Sequence, residues 1–219
     1  MKQTRLDALA DGIFAIVMTI LVFEIRVPHF VGEVNEWVFI NSLISMYPLF
    51  LSYLLSFSLL FTYWRSHHMI ASVLAKNIDT KFSNYNGLFF FLIALVPFSS
   101  NFLGMYLSSE TAVIFFAINT IFIGLTLYFM RRYAIKSEHI EIASFTEREN
   151  GYANLHILFP VISSFFAIII SFYSNNIAIL LLTLAILFNL TPKGTRIIYF
   201  FIDLIKGKDS TKSSLELHQ

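Results

Sequence analysis

The chain has 219 residues, of which 57% are hydrophobic and 13% are charged, and its mean hydropathy is +0.70. Soluble domains are only about 45–50% apolar, so this composition excludes an ordinary soluble domain and predicts an all-α, polytopic membrane protein. Cysteine is absent, which excludes disulfides and thiolate metal sites. The net charge of +1 says little by itself, but the distribution of the charges is informative.

Six apolar segments are predicted to be membrane-spanning helices. A span needs about 20 residues, which five segments provide, whereas the sixth is short and stops before Pro192. We therefore predict one six-helix transmembrane domain at residues 1–206, followed by a polar tail at 207–219 that resembles an expression tag in its last residues. The six segments are residues 9–27, 37–64, 85–107, 111–131, 153–173 and 177–191.

The positions of lysine and arginine predict the orientation of the chain. If the N-terminus lies inside, Arg26 is the only one of the 15 Lys and Arg residues that falls in an outer loop. Cytoplasmic loops carry an excess of these residues. The sequence therefore predicts six spans with both termini in the cytoplasm, and the asymmetry also supports the short sixth span.

One face of the first helix is a candidate pore wall. Residues 12–23 are uncharged, and helical spacing places Gly12, Ile16, Thr19, Ile20 and Phe23 on one side. Any membrane helix shows apolar residues at such spacings, so helix packing and lipid contact remain open alternatives. We label the first helix of the chain α1 and call these five residues the α1 stripe.

Charged residues at the start of the first helix require partners, because charge within a membrane is costly. Arg5 and Asp11 lie about 240° apart around the helix, so they do not pair with each other. Polar groups on the same predicted membrane side are Trp64, His67 and His68. We predict a cytoplasmic network that fixes the first helix, with independent interfacial charges as the alternative. The predicted network residues are Arg5, Asp11, Gly12, Trp64, His67 and His68. Adjacent histidines point about 100° apart and do not chelate together, so no metal site is predicted.

Three prolines interrupt the apolar segments. Pro48, Pro97 and Pro160 lie within the second, third and fifth segments respectively. Proline removes a backbone donor and distorts a helix, so we predict that each of these helices is kinked.

Residues 5–12, RLDALADG, resemble the first-helix motif of the transmembrane protein 175 family of potassium channels, in its one-repeat prokaryotic branch. The family pattern is Arg, three variable residues, then Phe-Ser-Asp-Gly. Arg5, Asp11 and Gly12 match, while Leu9 and Ala10 replace Phe and Ser. Residues 16–20, 64–68 and 97–99 agree with the resemblance.

The resemblance implies a homotetramer in the plasma membrane of a prokaryote, with four first helices around a central pore. Ile16 would form the narrowest constriction, Thr19 the next layer, and Ile20 and Phe23 the outer part. Such a ring of isoleucines can close a pore by dewetting. We expect passive, modestly potassium-selective conduction, with the lipid bilayer and monovalent cations as partners, no nucleic acid, and no cofactor besides the permeant potassium ion.

A proton- or cation-coupled secondary transporter is the alternative function. Asp7 and Asp11 form an i, i+4 pair that could hold a proton or a cation. An enzyme is not expected, because no nucleophile, metal-ligand set or paired catalytic carboxylates lie together in the spans.

Overall fold

A computed structural model describes residues 3–30, 35–74, 78–137, 140 and 147–190. Every regular element within these residues is helical, which confirms the all-α prediction. A 3₁₀ turn at Leu21–Glu24 extends the first helix, and a π-helical turn at Met69–Leu74 extends the third. The α-helices are α1 (Gln3–Ile20), α2 (Glu36–Ser45), α3 (Tyr47–His68), α4 (Thr80–Ala94), α5 (Val96–Met105), α6 (Glu110–Lys136), α7 (Glu147–Ser171) and α8 (Asn175–Leu190).

Five helical stretches of the described chain are long and apolar enough to cross a membrane, and α8 is a shorter apolar helix. Each overlaps one predicted segment. The multi-pass prediction is therefore confirmed, whereas the count of six crossings and the cytoplasmic termini stay predictions. Residues 191–219, which include the predicted tail, lie outside the described residues. The five stretches are Gln3–Glu24, Tyr47–Ala71, Thr80–Met105, Glu110–Lys136 and Asn150–Ser171.

The predicted boundaries of the second span are wrong. The sequence suggested one long helix at residues 37–64 with a kink at Pro48, but the chain breaks at Met46 into α2 and α3. Pro48 lies in the first turn of α3, where its missing N–H is not needed for a helical hydrogen bond. The membrane-length helix is therefore Tyr47–Ala71, and none of the residues of α2 is buried.

The other two prolines act in different ways. Pro97 lies in the first turn of α5, after a break at Leu95, so it starts a helix as Pro48 does. Pro160 lies inside α7, where its missing N–H frees the carbonyl of His156, four residues earlier. Asn189 of α8 donates its Nδ2 to that carbonyl oxygen at 2.9 Å. The acceptor freed by Pro160 thus joins α7 to α8.

Helix α6 is the centre of the fold and packs against α4, α5, α7 and α8. Tyr63 of α3 reaches it as well, because its hydroxyl donates to the carbonyl oxygen of Thr120 at 3.2 Å. At Gly124 a Cβ atom would lie only 2.7 Å from the Tyr63 hydroxyl oxygen. The same Cβ atom would overlap the Val161 side chain of α7, so glycine at this position permits the close approach of both α3 and α7 to α6.

Candidate functional site

Helix α1 lies at the edge of the bundle and packs against α3 and α4 by one face only. The buried residues recur every three or four positions, which is the spacing of a single helical face. They are Leu6, Ala10, Phe14 and Val17, followed by Leu21 in the 3₁₀ turn.

The α1 stripe lies on the opposite, uncovered face. Ile16 is 59% exposed, Ile20 is 39% exposed and Phe23 is 73% exposed. Gly12 and Thr19 are exposed too, and a Cβ added at Gly12 would have no neighbour within 4 Å. All five predicted residues are thus left available for contacts outside the single chain.

Thr19 supplies an oxygen atom on this otherwise apolar face. Its Oγ1 lies 2.9 Å from the carbonyl oxygens of both Ala15 and Ile16. A hydroxyl has one proton to donate and two lone pairs, so the bond to the backbone leaves the oxygen able to accept or to coordinate a cation.

Asp11 is held by the last turn of α3. Trp64 donates its Nε1 to Asp11 Oδ1 at 2.9 Å, and the Trp64 ring stacks on His68 with centroids 6.1 Å apart. The structure therefore brings three of the predicted network residues together at the predicted cytoplasmic end of α1.

His67 and Arg5 lie elsewhere. His67 is 1% exposed, and its Nε2 lies 2.7 Å from the amide oxygen of Asn86. Its ring stacks on Phe89 at 5.2 Å, so it binds α4 rather than a charge of α1. Arg5 is exposed. Sequence reasoning missed Asn86, although an amide in an apolar segment signals a buried partner.

Asp7 differs from Asp11 in its surroundings. Its side chain is half-buried, and its Oδ1 is buried without a hydrogen-bond partner among the described residues. The two carboxylates of the predicted acidic pair are therefore not equivalent, since Asp11 is exposed and bonded to Trp64. The described part of the chain contains no group of three or more His, Cys, Asp or Glu residues placed to hold a metal ion.

A second polar connection joins α3 to α7, and it was not among the contacts predicted from the sequence. Arg65 Nη2 lies 2.9 Å from His156 Nε2. Arginine can only donate, so His156 accepts at this nitrogen. The carbonyl of the same histidine binds Asn189, and one residue thus connects three helices.

Comparison with known proteins gives consistent matches. The family model for the endosomal/lysosomal potassium channel TMEM175 matches residues 5–97. A potassium channel of Chamaesiphon minutus is 39% identical over 127 residues, which is 54% of this chain and 61% of that protein. A potassium channel of a Chryseobacterium species is 30% identical over 139 residues, or 63% of this chain and 68% of its own.

A solved structure matches over a longer range. The crystal structure of a lysosomal potassium-selective channel TMEM175 homolog from Chamaesiphon minutus has a TM-score of 0.73 and 27% identity. The match covers 85% of this chain and 95% of that chain. A potassium channel of Streptomyces collinus is 31% identical over 51% of this chain. The sequence matches are shorter than the structural match, because they span only 61% of the Chamaesiphon minutus channel and 52% of the Streptomyces collinus channel.

The fold and these matches together define a helical, multi-pass membrane protein of a channel family. The chain belongs to the TMEM175 family, as the motif at residues 5–12 predicted. That family is one of potassium channels and not of enzymes.

Proposed function

We propose that this chain is a passive potassium channel in which the α1 helices of four copies line a central pore. The observation that carries the proposal is the uncovered α1 stripe, which stays exposed although the opposite face of the same helix is packed against the bundle. A helix that packs by one face and keeps an uncharged second face is suited to line a shared axis.

The order of residues along the stripe suggests the function of each layer. Four Ile16 side chains would form the narrowest, dewetting constriction, and Thr19 would offer oxygens to a partly dehydrated ion one turn further out. Ile20 and Phe23 would line the outer part. Potassium is hydrated more weakly than sodium, so it loses less hydration free energy on entering the constriction. The pore should therefore prefer potassium modestly.

The contact between Asp11 and Trp64 supports the proposal that α1 is held in a fixed orientation for conduction. Because the carboxylate accepts the indole N–H across two helices, it restrains the middle of α1 relative to α3. We propose that this contact sets the angle at which the stripe faces the pore axis. We also propose that the channel lies in the plasma membrane of a prokaryotic cell and needs no cofactor besides the permeant ion.

Ion flux from potassium-loaded vesicles tests the proposal. Wild-type protein should release potassium passively, and faster with potassium than with sodium as the permeant ion. Ile16→Asn hydrates the constriction, so it should raise the flux and reduce the preference for potassium. The matched control is Ile118→Asn, the same change at an isoleucine of α6 that is 40% exposed and lies outside the stripe.

Two results would contradict parts of this proposal. Flux that is identical in Ile16→Asn and wild type, for both ions, would remove Ile16 from the pathway. Flux that needs a second ion gradient and ignores Ile16 would instead indicate a coupled transporter, in which Asp7 and Asp11 hold the coupling ion.

A further inference from the structure

A small basic pocket lies between α6 and α7, at the end of both helices that is predicted to be cytoplasmic. Its volume is about 190 Å³. None of its described lining residues is acidic, and its two charged groups, Arg132 and Lys136, are both cationic. The lining residues are Tyr128, Arg132, Ile135, Lys136, Asn150 and Asn154.

A buried arginine fixes the two amides that line the pocket. Arg131 is 4% exposed; its Nη2 donates to Asn150 Oδ1 at 3.0 Å and its Nε donates to Asn154 Oδ1 at 3.2 Å. Arginine has no acceptor, so the amide oxygens must face it. Their NH₂ groups are therefore left to donate in another direction.

The polar groups of the pocket are thus mainly donors. Arg132 offers a guanidinium, Lys136 an ammonium, and the two asparagines their NH₂ groups, while the Tyr128 hydroxyl can donate as well. Such a set suits a multiply accepting anion and disfavours a cation. Charge-assisted bonds from arginine to phosphate oxygens are among the strongest that a protein surface makes.

We propose that this pocket binds the phosphate of an anionic phospholipid headgroup from the cytoplasmic leaflet. Tyr128 and Ile135 belong to the membrane-length helix Glu110–Lys136, so the pocket is continuous with an apolar surface that acyl chains would cover. Arg132 and Lys136 are exposed at the end of that helix, at the depth where headgroups lie. Basic pockets between transmembrane helices on the cytoplasmic side bind such headgroups.

Native mass spectrometry of the purified full-length protein in detergent tests the assignment, with phosphatidylglycerol and phosphatidylcholine added in separate titrations. Phosphatidylglycerol should bind more tightly. Each basic residue near a lipid surface changes binding by about fivefold, so Arg132→Gln or Lys136→Gln alone should weaken it about fivefold. The double variant should weaken it by roughly thirtyfold.

Three controls make the result specific. Lys81→Gln removes the same charge from α4, where Lys81 is exposed and lies over the ring of Tyr133, and it should retain wild-type binding. Arg132→Lys keeps the charge and should retain most of the affinity, which also shows that the position tolerates replacement. Inorganic phosphate, added to protein that already holds phosphatidylglycerol, should displace the lipid only weakly.

The outcomes that overturn the proposal are distinct. Equal affinity for the two lipids, or an equal loss in Lys81→Gln, would show diffuse charge attraction instead of a site. Inorganic phosphate that displaces phosphatidylglycerol at equal concentration would assign the pocket to a soluble phosphate. Because binding is measured without ion flux, neither result depends on the proposed channel function.

Discussion

Helices α1 and α6 belong to equally apolar membrane-length stretches, yet they occupy opposite environments. In α6, 56% of the most apolar window is buried inside the chain, whereas in α1 only 28% is. Hydropathy therefore identifies both as membrane helices but does not distinguish the helix that organises the bundle from the one that is left open. The difference comes from what the residues contact: α6 meets neighbours on several sides, and α1 meets them on one.

The largest loss of unfolding free energy should come from a substitution on the packed face of α1. Phe14 is 1% exposed and lies against the rings of His67 and Phe89, so Phe14→Ala should leave a cavity. We expect a loss of up to about 3 kcal/mol in unfolding free energy, the lower end for soluble cores, because lipid offers apolar surroundings in the unfolded state too. Phe23→Ala, at a phenylalanine that is 73% exposed, is the matched control and should unfold in detergent like wild type.

Alanine substitutions at Gly124 of α6 and Gly12 of α1 compare the crowding of the two helices directly. A methyl group at Gly124 would crowd the Tyr63 hydroxyl at 2.7 Å, whereas one at Gly12 would have no neighbour within 4 Å. Gly124→Ala should cost about 2 kcal/mol through overpacking, and Gly12→Ala should be neutral or stabilise by up to about 1 kcal/mol. Thermal unfolding of the two variants side by side measures this. Equal losses would mean that α1 is as crowded as α6.

Much of this contrast could be predicted from the sequence. The stripe and the need of Asp11 for a partner followed from helical spacing and from the cost of charge at a membrane boundary. Residues near one end of two antiparallel spans must lie on the same membrane side, so Trp64 was among the possible partners of Asp11.

Other features could not be predicted in this way. Pro48 has the same local chemistry whether it kinks a helix or begins one, so the break at Met46 depends on the packing around it. The partner of His67 is Asn86 because the imidazole turns into the core, and nothing in the local pattern fixes that rotation. The contact of Arg65 with His156 depends on the tertiary placement of α3 beside α7.

Removal of the contact between Asp11 and Trp64 should lower the unfolding free energy by an intermediate amount. Trp64→Phe removes the N–H donor but keeps an aromatic ring beside His68, so it should cost about 1 kcal/mol, the usual value for a hydrogen bond. Asp11→Asn keeps an acceptor oxygen and is the control, with a smaller loss. Unfolding midpoints of the purified protein report both. If Trp64→Phe unfolds like wild type, α1 is held against the bundle by its apolar face alone.

The smallest effect should appear at Thr19, where the α1 stripe carries a single hydroxyl between apolar neighbours. If this oxygen replaces part of the water that potassium loses, Thr19→Val removes an interaction worth about 0.5–1 kcal/mol. Only the part of this energy that favours potassium over sodium affects selectivity, so the potassium-to-sodium permeability ratio should fall by at most about two- to fivefold. Thr19→Ser keeps the hydroxyl and should keep the ratio. Reversal potentials with potassium on one side and sodium on the other measure it. A ratio unchanged by valine would show that the constriction at Ile16 discriminates without an oxygen ligand, so the open face of α1 would act by its apolar shape alone.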